Sequence, residues 1–314
     1  MKLLIETPTW LGDTVMASPA IENLIKYFKE PEVTLIGSFT SIEVLKYHPN
    51  VIQVKVLNKK YKSLYKIAKN LGDFDIFFSF RSSFRSNLFS FFVSSKIKYK
   101  YSKAKYYGKH QVQKYNDFIQ DSLGVNFEPK QLVLYQENQK KIALKFDKNL
   151  PVLGINPGAS YGSSKRWNSE KFAEVAVKLS NQYNIIVFGG INETDIGQYI
   201  EKLLINEHVK NYHNFAGLTT IPELVEIISN LDLFITGDSG PMHIAASFKV
   251  NTVSLFGPTK SNETSQWKNE NSIIIKKNLD CQPCMKRVCP LNHHNCMNFI
   301  EVDEVLDAIE TLSD

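Results

Sequence analysis

One pattern constrains this chain more than any other: short apolar runs alternate with helix-length amphipathic stretches, and the series runs twice. The first series opens with "KLLIE" (2–6), a helical pattern from about Val15 to Phe28, then "VTLIG" (33–37), "QVKVL" (53–57), "DIFFSF" (75–80) and a helix over 110–123. It restarts at "VLGINPG" (152–158), with helices over 168–183, 193–205 and 220–230. Between and after these come "NIIVFGG" (184–190), "LDLFITG" (231–237) and "NTVSLFG" (251–257), with a helix starting at Pro241 and a last one over 302–312. Apolar strands separated by helices predict parallel sheets covered on both faces. Two such series in 314 residues predict two doubly wound domains, 1–147 and 148–314, with the final helix free to pack back on the first domain. The polar stretch 135–150 is the expected linker.

No run approaches the roughly 18–20 uninterrupted apolar residues of a membrane helix, and the start "MKLLIETPTW" meets a Glu at position 6, unlike a signal peptide. A cytoplasmic protein is expected. In open α/β sheets ligands bind beyond the carboxyl ends of the strands, and in a two-domain chain those ends can face each other across a cleft. The informative strings all follow strands. In "TGDSGPMHIAA" (236–246), Gly237 and Gly240 permit close backbone approach, Ser239 can cap the next helix, and Pro241 suits its first turn. The amides of that turn make an anion site, to which His243 can add a donor. Asp238 repels phosphate, so it fits sugar hydroxyls or the orientation of His243. A plain strand–cap–helix junction is the alternative.

"NPGASYGSSKRW" (156–167) follows the same logic. A Gly/Ser-rich loop that includes Ser160 leads to Lys165 and Arg166, two cations suited to a diphosphate, although the P-loop spacing is absent. Glu193 follows another strand, where a carboxylate binds ribose hydroxyls or simply favours a helix N-terminus. Asp13, at the head of the first helix, is a cap, a general base, or both. "GDFD" (72–75) precedes a strand, the wrong end for a site of this kind, and is expected to be a turn.

The charge is uneven. Residues 1–150 hold 24 Lys and Arg against 13 Asp and Glu; the rest hold 13 against 19. The excess concentrates in "NKKYKSLYKIAK" (58–69) and "KIKYKYSKAKYYGKH" (96–110), which points to a polyanionic partner, with a solvated lysine-rich face as the alternative. No nucleic-acid module accompanies it, so no nucleic acid is expected as partner; an anionic membrane surface or glycolipid fits better.

"LGDTVMASPAI", "NPGASYGSSKRW", "GDSGPMHIAASF" with "LFGPT", and "DCQPCMKRVCPLNHHNCM" together resemble the ADP-heptose–lipopolysaccharide heptosyltransferases, glycosyltransferase family 9, nearest to those that add the second inner-core heptose. The resemblance runs from the first strand to the C-terminal region. It implies the GT-B architecture, two Rossmann-like domains facing across a cleft, with an N-terminal acceptor domain and a C-terminal domain for ADP-L-glycero-D-manno-heptose. It implies an inverting transfer to a heptosyl-Kdo-lipid A acceptor without a divalent metal, by a monomer at the cytoplasmic face of the inner membrane. Asp13 then matches the base, Lys165 a diphosphate ligand, Glu193 a ribose ligand, and Asp238 the acidic residue by the heptose. Ser239, Gly240 and His243 match the phosphate-binding helix start, and Ser160 lies in the donor loop. Arg81 and Arg85, after a strand of the basic half, are the candidates for the anionic acceptor. The alternatives are the first-heptose or another core-sugar transferase of the family, a GT-B nucleotide-sugar epimerase, or a non-catalytic nucleotide-binding subunit.

All four cysteines, Cys281, Cys284, Cys289 and Cys296, fall in one string with His293 and His294. Four thiolates can close a zinc tetrahedron, although these spacings are shorter than in zinc ribbons. Structural zinc, reduced thiols packing a loop, and disulfides formed on purification are all open readings.

Overall fold

The structure is a computed structural model that describes residues 1–57, 60–137 and 146–313. Half of the expected linker, 138–145, therefore lies outside the described residues, as do positions 58 and 59 of the first basic run. Contacts divide the chain into two units, Met1–Asn138 and Gln139–Asp314.

The first unit runs β1 (Lys2–Glu6), α1 (Leu11–Tyr27), β2 (Glu32–Gly37), α2 (Phe39–Leu45), β3 (Val51–Val56), α3 (Lys62–Leu71), β4 (Asp73–Ser79), α4 (Phe84–Phe92), β5 (Ser94–Lys100) and α5 (Gln111–Leu123). Its five strands are all parallel, in the order β3-β2-β1-β4-β5. Leu3, Leu4 and Ile5 are buried because helices cover both faces. α3 and α4 bring Leu64, Ala68, Phe89 and Val93 down onto Leu4, Ile36, Phe74 and Phe77, while α1 packs with α5. Ser83 caps α4 by accepting from the Ser86 amide, and His110 forms a capping box with Gln113 at α5.

The second unit runs β6 (Val152–Asn156), α6 (Ser169–Leu179), β7 (Asn184–Val187), α7 (Thr194–Asn206), β8 (Tyr212–Asn214), α8 (Ile221–Ser229), β9 (Leu233–Gly237), α9 (Gly240–Ser247), β10 (Asn251–Phe256), α10 (Ser261–Thr264), β11 (Ser272–Lys276), α11 (Asn295–Asn298) and α12 (Val302–Ser313). Its parallel strands follow the order β11-β10-β9-β6-β7-β8. The last helix, free in sequence terms to return to the first domain, packs on α6, β10 and β11 of its own unit. Val302, Val305, Ala308 and Ile309 are its buried stripe, spaced three and four apart.

Each sheet has one point where the strand order turns back: between β1 and β4 in the first unit, between β6 and β9 in the second. In open α/β sheets ligands bind at such points, beyond the carboxyl ends of the strands. Asp73 and Asp75 lie at the opposite end of β4, where Asp75 accepts from the Lys2 amide and from Lys96, and Asp73 from Ser94. They open β4 itself, so "GDFD" is the start of the strand and not the turn expected of it, because its carboxylates are held by the neighbouring strands β1 and β5.

Candidate active site

In the second unit the turn-back point is tied together by Asn156. Its side-chain amide donates to Thr236 Oγ1 and Ser239 Oγ, both at 3.2 Å, joining the ends of β6 and β9. Ser239 occupies the N-cap position of α9, but its hydroxyl makes no capping bond; it faces Asn156 and Thr236 instead. This corrects the expected capping role, and it leaves the first-turn amides from Gly240 onward without a side-chain cap. His243 is buried on the same turn. Ser160 is exposed in the loop after β6.

Lys165 Nζ meets Asp238 Oδ2 at 2.6 Å and the Asp238 carbonyl at 3.1 Å, with side-chain exposures of 12% and 5%. Thr259, in the loop after β10, donates to the same carboxylate oxygen at 2.6 Å. Lys165 also lies 4.7 Å above the Tyr161 ring. Asp238 thus holds the lysine, where the sequence had suggested sugar hydroxyls or His243. Beside this pair, Glu193 is buried against Gly158, where a Cβ would come within 2.2 Å of its carboxylate. Its Oε2 accepts from the Gly190 amide at 2.8 Å. Its Oε1 accepts no hydrogen bond and stands 3.8 Å from Arg166.

In the first unit a buried carboxylate ends β1. Glu6 is 0% exposed. Ser79 and Ser86 both donate to its Oε2, and Arg81 stands 3.6 Å from its Oε1, which accepts no hydrogen bond. Burial pushes the Glu6 carboxyl above its ordinary range, while the serine hydroxyls and the Arg81 and Arg85 charges pull it back. Burial and the Arg81 charge lower Arg85 in turn, against Glu6 and Tyr61. Asp13 is half-buried in the first turn of α1, close enough for its charge to help burial push the Tyr115 phenol well up. The structure therefore brings Arg81 and Arg85 to the carboxyl end of the first sheet, on the edge from which α1 carries Asp13.

A sequence profile of Glycosyltransferase family 9 (heptosyltransferase) matches residues 73–295. The lipooligosaccharide heptosyltransferase 2 of Campylobacter jejuni is 41% identical over 99% of this chain and 98% of its own. The chain belongs to glycosyltransferase family 9, the heptosyltransferases. Two solved structures share the fold of this heptosyltransferase. The ADP-heptose lipopolysaccharide heptosyltransferase II of Escherichia coli superposes with a TM-score of 0.80 at 21% identity, over 99% of this chain and 98% of that one. A family 9 glycosyltransferase of Veillonella parvula gives 0.84 at 21% identity, over 99% and 96%. The GT-B class expected from the sequence holds.

The cysteine string of this heptosyltransferase is fastened to the lysine loop. Ser164 donates to the Lys286 carbonyl, its amide to Arg287, and its carbonyl meets His294 Nε2 at 2.8 Å; Tyr161 donates to the Met285 carbonyl. The four thiols and both histidines line one small cavity with Ser164 and Pro258. Burial and the other three thiols push Cys296 up to about 11, whereas amide hydrogen bonds, that of His294 foremost, hold Cys289 below its ordinary value. Yet among the described residues no group of three or more His, Cys, Asp or Glu is arranged to hold a metal ion. The thiols share a cavity wall, and the turns between them bind residues 161–164.

Sequence reasoning missed Glu6, Thr259 and the holding role of Asp238. The signal for Glu6 was available: a single carboxylate ending an otherwise apolar strand has to be neutralised by something brought to it.

Proposed function

We propose that this heptosyltransferase moves L-glycero-D-manno-heptose from ADP-heptose to the first heptose of a lipid-linked inner core, with inversion. The observation that carries the donor side is the Lys165–Asp238 pair set beside the uncapped start of α9. Two of the three Nζ donors of Lys165 go to Asp238. The third, with the α9 amides and Arg166, faces the diphosphate and stabilises charge as ADP departs. Glu193 Oε1, which accepts no hydrogen bond, suits a ribose hydroxyl. Ser160 borders the nucleotide, and His243 stiffens the α9 turn. Asp13 takes the proton of the acceptor hydroxyl as it attacks the anomeric carbon, through a transition state of oxocarbenium character. Arg81 and Arg85 take the acidic groups of the acceptor. This arrangement of cations does the work that a divalent metal does elsewhere, so the reaction runs in a chelator. The choice of the second-heptose step rests on the 41% identity to a relative of that name over nearly the whole of both chains.

The test is transfer itself. The protein is incubated with ADP-heptose, EDTA and either Kdo2-lipid A or heptosyl-Kdo2-lipid A, and the products are weighed by mass spectrometry. One heptose added only to the second acceptor is the expected result. Addition to the first instead assigns the first-heptose step, and dependence on added metal overturns the cation assignment.

A further inference from the structure

The two helices that cover one face of the first sheet, α3 and α4, present an outer side that combines exposed aromatic rings with lysines. On α4, Phe84 and Phe91 lie two turns apart on one stripe and are 75% and 79% exposed. On α3, which packs beside α4, Tyr65 is exposed, and Tyr61 is exposed just before its first turn. An edge-to-face contact of Tyr65 with Phe92, at 5.4 Å, and one of Phe92 with Phe91, at 5.5 Å, join the two helices into one aromatic surface. Lys62, Lys66 and Lys69 rise from the same outer side of α3, and among the described residues none of them has an ion pair.

The only carboxylates between the two helices, Asp73 and Asp75, sit at the amino end of β4 and bind Ser94, Lys96 and the Lys2 amide. Neither helix contains an Asp or Glu, and from Ile76 to Asn116 there are nine Lys and Arg and no acidic residue at all. Some of these cations are engaged elsewhere: Lys96 pairs with Asp75, Lys105 with Asp121, and Lys109 with Asp117. The lysines of α3 are not. Arg81 and Arg85 stand at the N-terminal end of α4, so the aromatic stripe begins where the acceptor arginines are.

We propose that the outer face of α3 and α4 is the surface by which this protein lies on an anionic lipid bilayer, Phe84 and Phe91 entering the headgroup boundary and Lys62, Lys66 and Lys69 facing lipid phosphates. Exposed aromatic side chains interleaved with lysines suit an interface that is apolar on one side and negatively charged on the other. A nucleic acid would use the lysines but offers no apolar layer for two phenylalanines set a full helical repeat apart. A partner protein would need acidic groups matched to three separate lysines. Among the described residues no helix is long and apolar enough to cross a membrane, so the face acts by adsorption. The inference deepens the proposed reading of a lipid-linked acceptor and rests on it for its purpose: the bilayer would deliver the sugar to Arg81 and Arg85.

The experiment uses the full chain without nucleotide or acceptor, so it stands apart from the transferase assay. Sedimentation is compared with vesicles of phosphatidylethanolamine and phosphatidylglycerol, and with vesicles of phosphatidylcholine. The expected result is binding to the anionic vesicles, weakened by salt. Each of Lys62→Gln, Lys66→Gln and Lys69→Gln should cost roughly fivefold, and Phe84→Ser with Phe91→Ser at least about tenfold. Thermal melting and far-ultraviolet circular dichroism should stay at parent levels in both sets, which excludes misfolding. The proposal is overturned if anionic vesicles are not bound, or if they are bound equally by parent and variants. It is equally overturned if light scattering shows that the phenylalanines hold two copies of the chain together while vesicle binding is unchanged.

Discussion

The two turn-back points are built alike and charged differently. In the second unit the carboxylate of Asp238 grips its cation directly, at 2.6 Å, with Thr259 on the same oxygen. In the first, Glu6 is more deeply buried, gives one oxygen to two serine hydroxyls, and stands 3.6 Å from Arg81 with the other. A lysine already paired is fixed in place, and on the proposed reading the ligand would share it with Asp238. An arginine held at a distance keeps most of its donors for a ligand while the buried carboxylate sets where it stands. The same fold device thus supplies a rigid point charge on one side and a directed fork on the other.

The sharpest way to separate the two sites is Asp13→Asn. It should lower kcat by about 10²–10⁴ while ADP binding, read by titration calorimetry, stays unchanged; parental turnover would remove Asp13 as the base. Lys165→Ala comes next, with about 10²-fold lost from kcat/KM for the donor and the acceptor KM unmoved. An equal loss on both substrates would show that the two sites are not independent.

Glu6→Gln tests the first unit. Acceptor KM should rise several-fold with kcat nearly constant, as Arg81 loses its guide. Stability carries a second signature. Glu6 has a raised folded pKa, so its contribution is fully present below the ordinary carboxyl value of 4.5 and is lost as pH rises through the folded pKa. Denaturant midpoints should therefore move in favour of the Gln variant as pH climbs above that value; parallel curves would mean that burial of Glu6 costs nothing. The smallest effect is expected of Thr259→Val, which removes one hydrogen bond to Asp238, worth about 1 kcal/mol, or a few-fold in donor affinity.

Legibility followed the same divide. In the second unit β6, β7, β9 and β10 are readable as continuous apolar runs, with the candidate residues Lys165 and Asp238 in the loops after them, whereas the short, half-buried β8 (Tyr212–Asn214) and the edge strand β11 carry no such run. The first unit hid more. β5 was taken for a basic run, although Lys96, Lys98 and Lys100 alternating with Ile97 and Tyr99 is itself the period-two signature of an edge strand. α3 and α4 escaped for a related reason: lysines and exposed aromatics mask the buried positions Leu64, Ala68 and Phe89. Contacts across the chain were the least visible. Nothing in "LFGPT" announces that Thr259 reaches Asp238, and nothing in "SFRSSFRSN" announces that Ser79 and Ser86 converge on Glu6 from 73 and 80 residues away.

The bonds between the cysteine string and Ser164 have a practical side. Ser164 precedes Lys165 directly, and His294, from the wall of the thiol cavity, meets its carbonyl. A fluorophore or a fluorinated tag placed on one of these cysteines would sit a single bond network away from the lysine. On the proposed reading of Lys165, it would report nucleotide occupancy as a spectral change, with no acceptor present and no sugar transferred, and so turn a slow product assay into a direct optical titration.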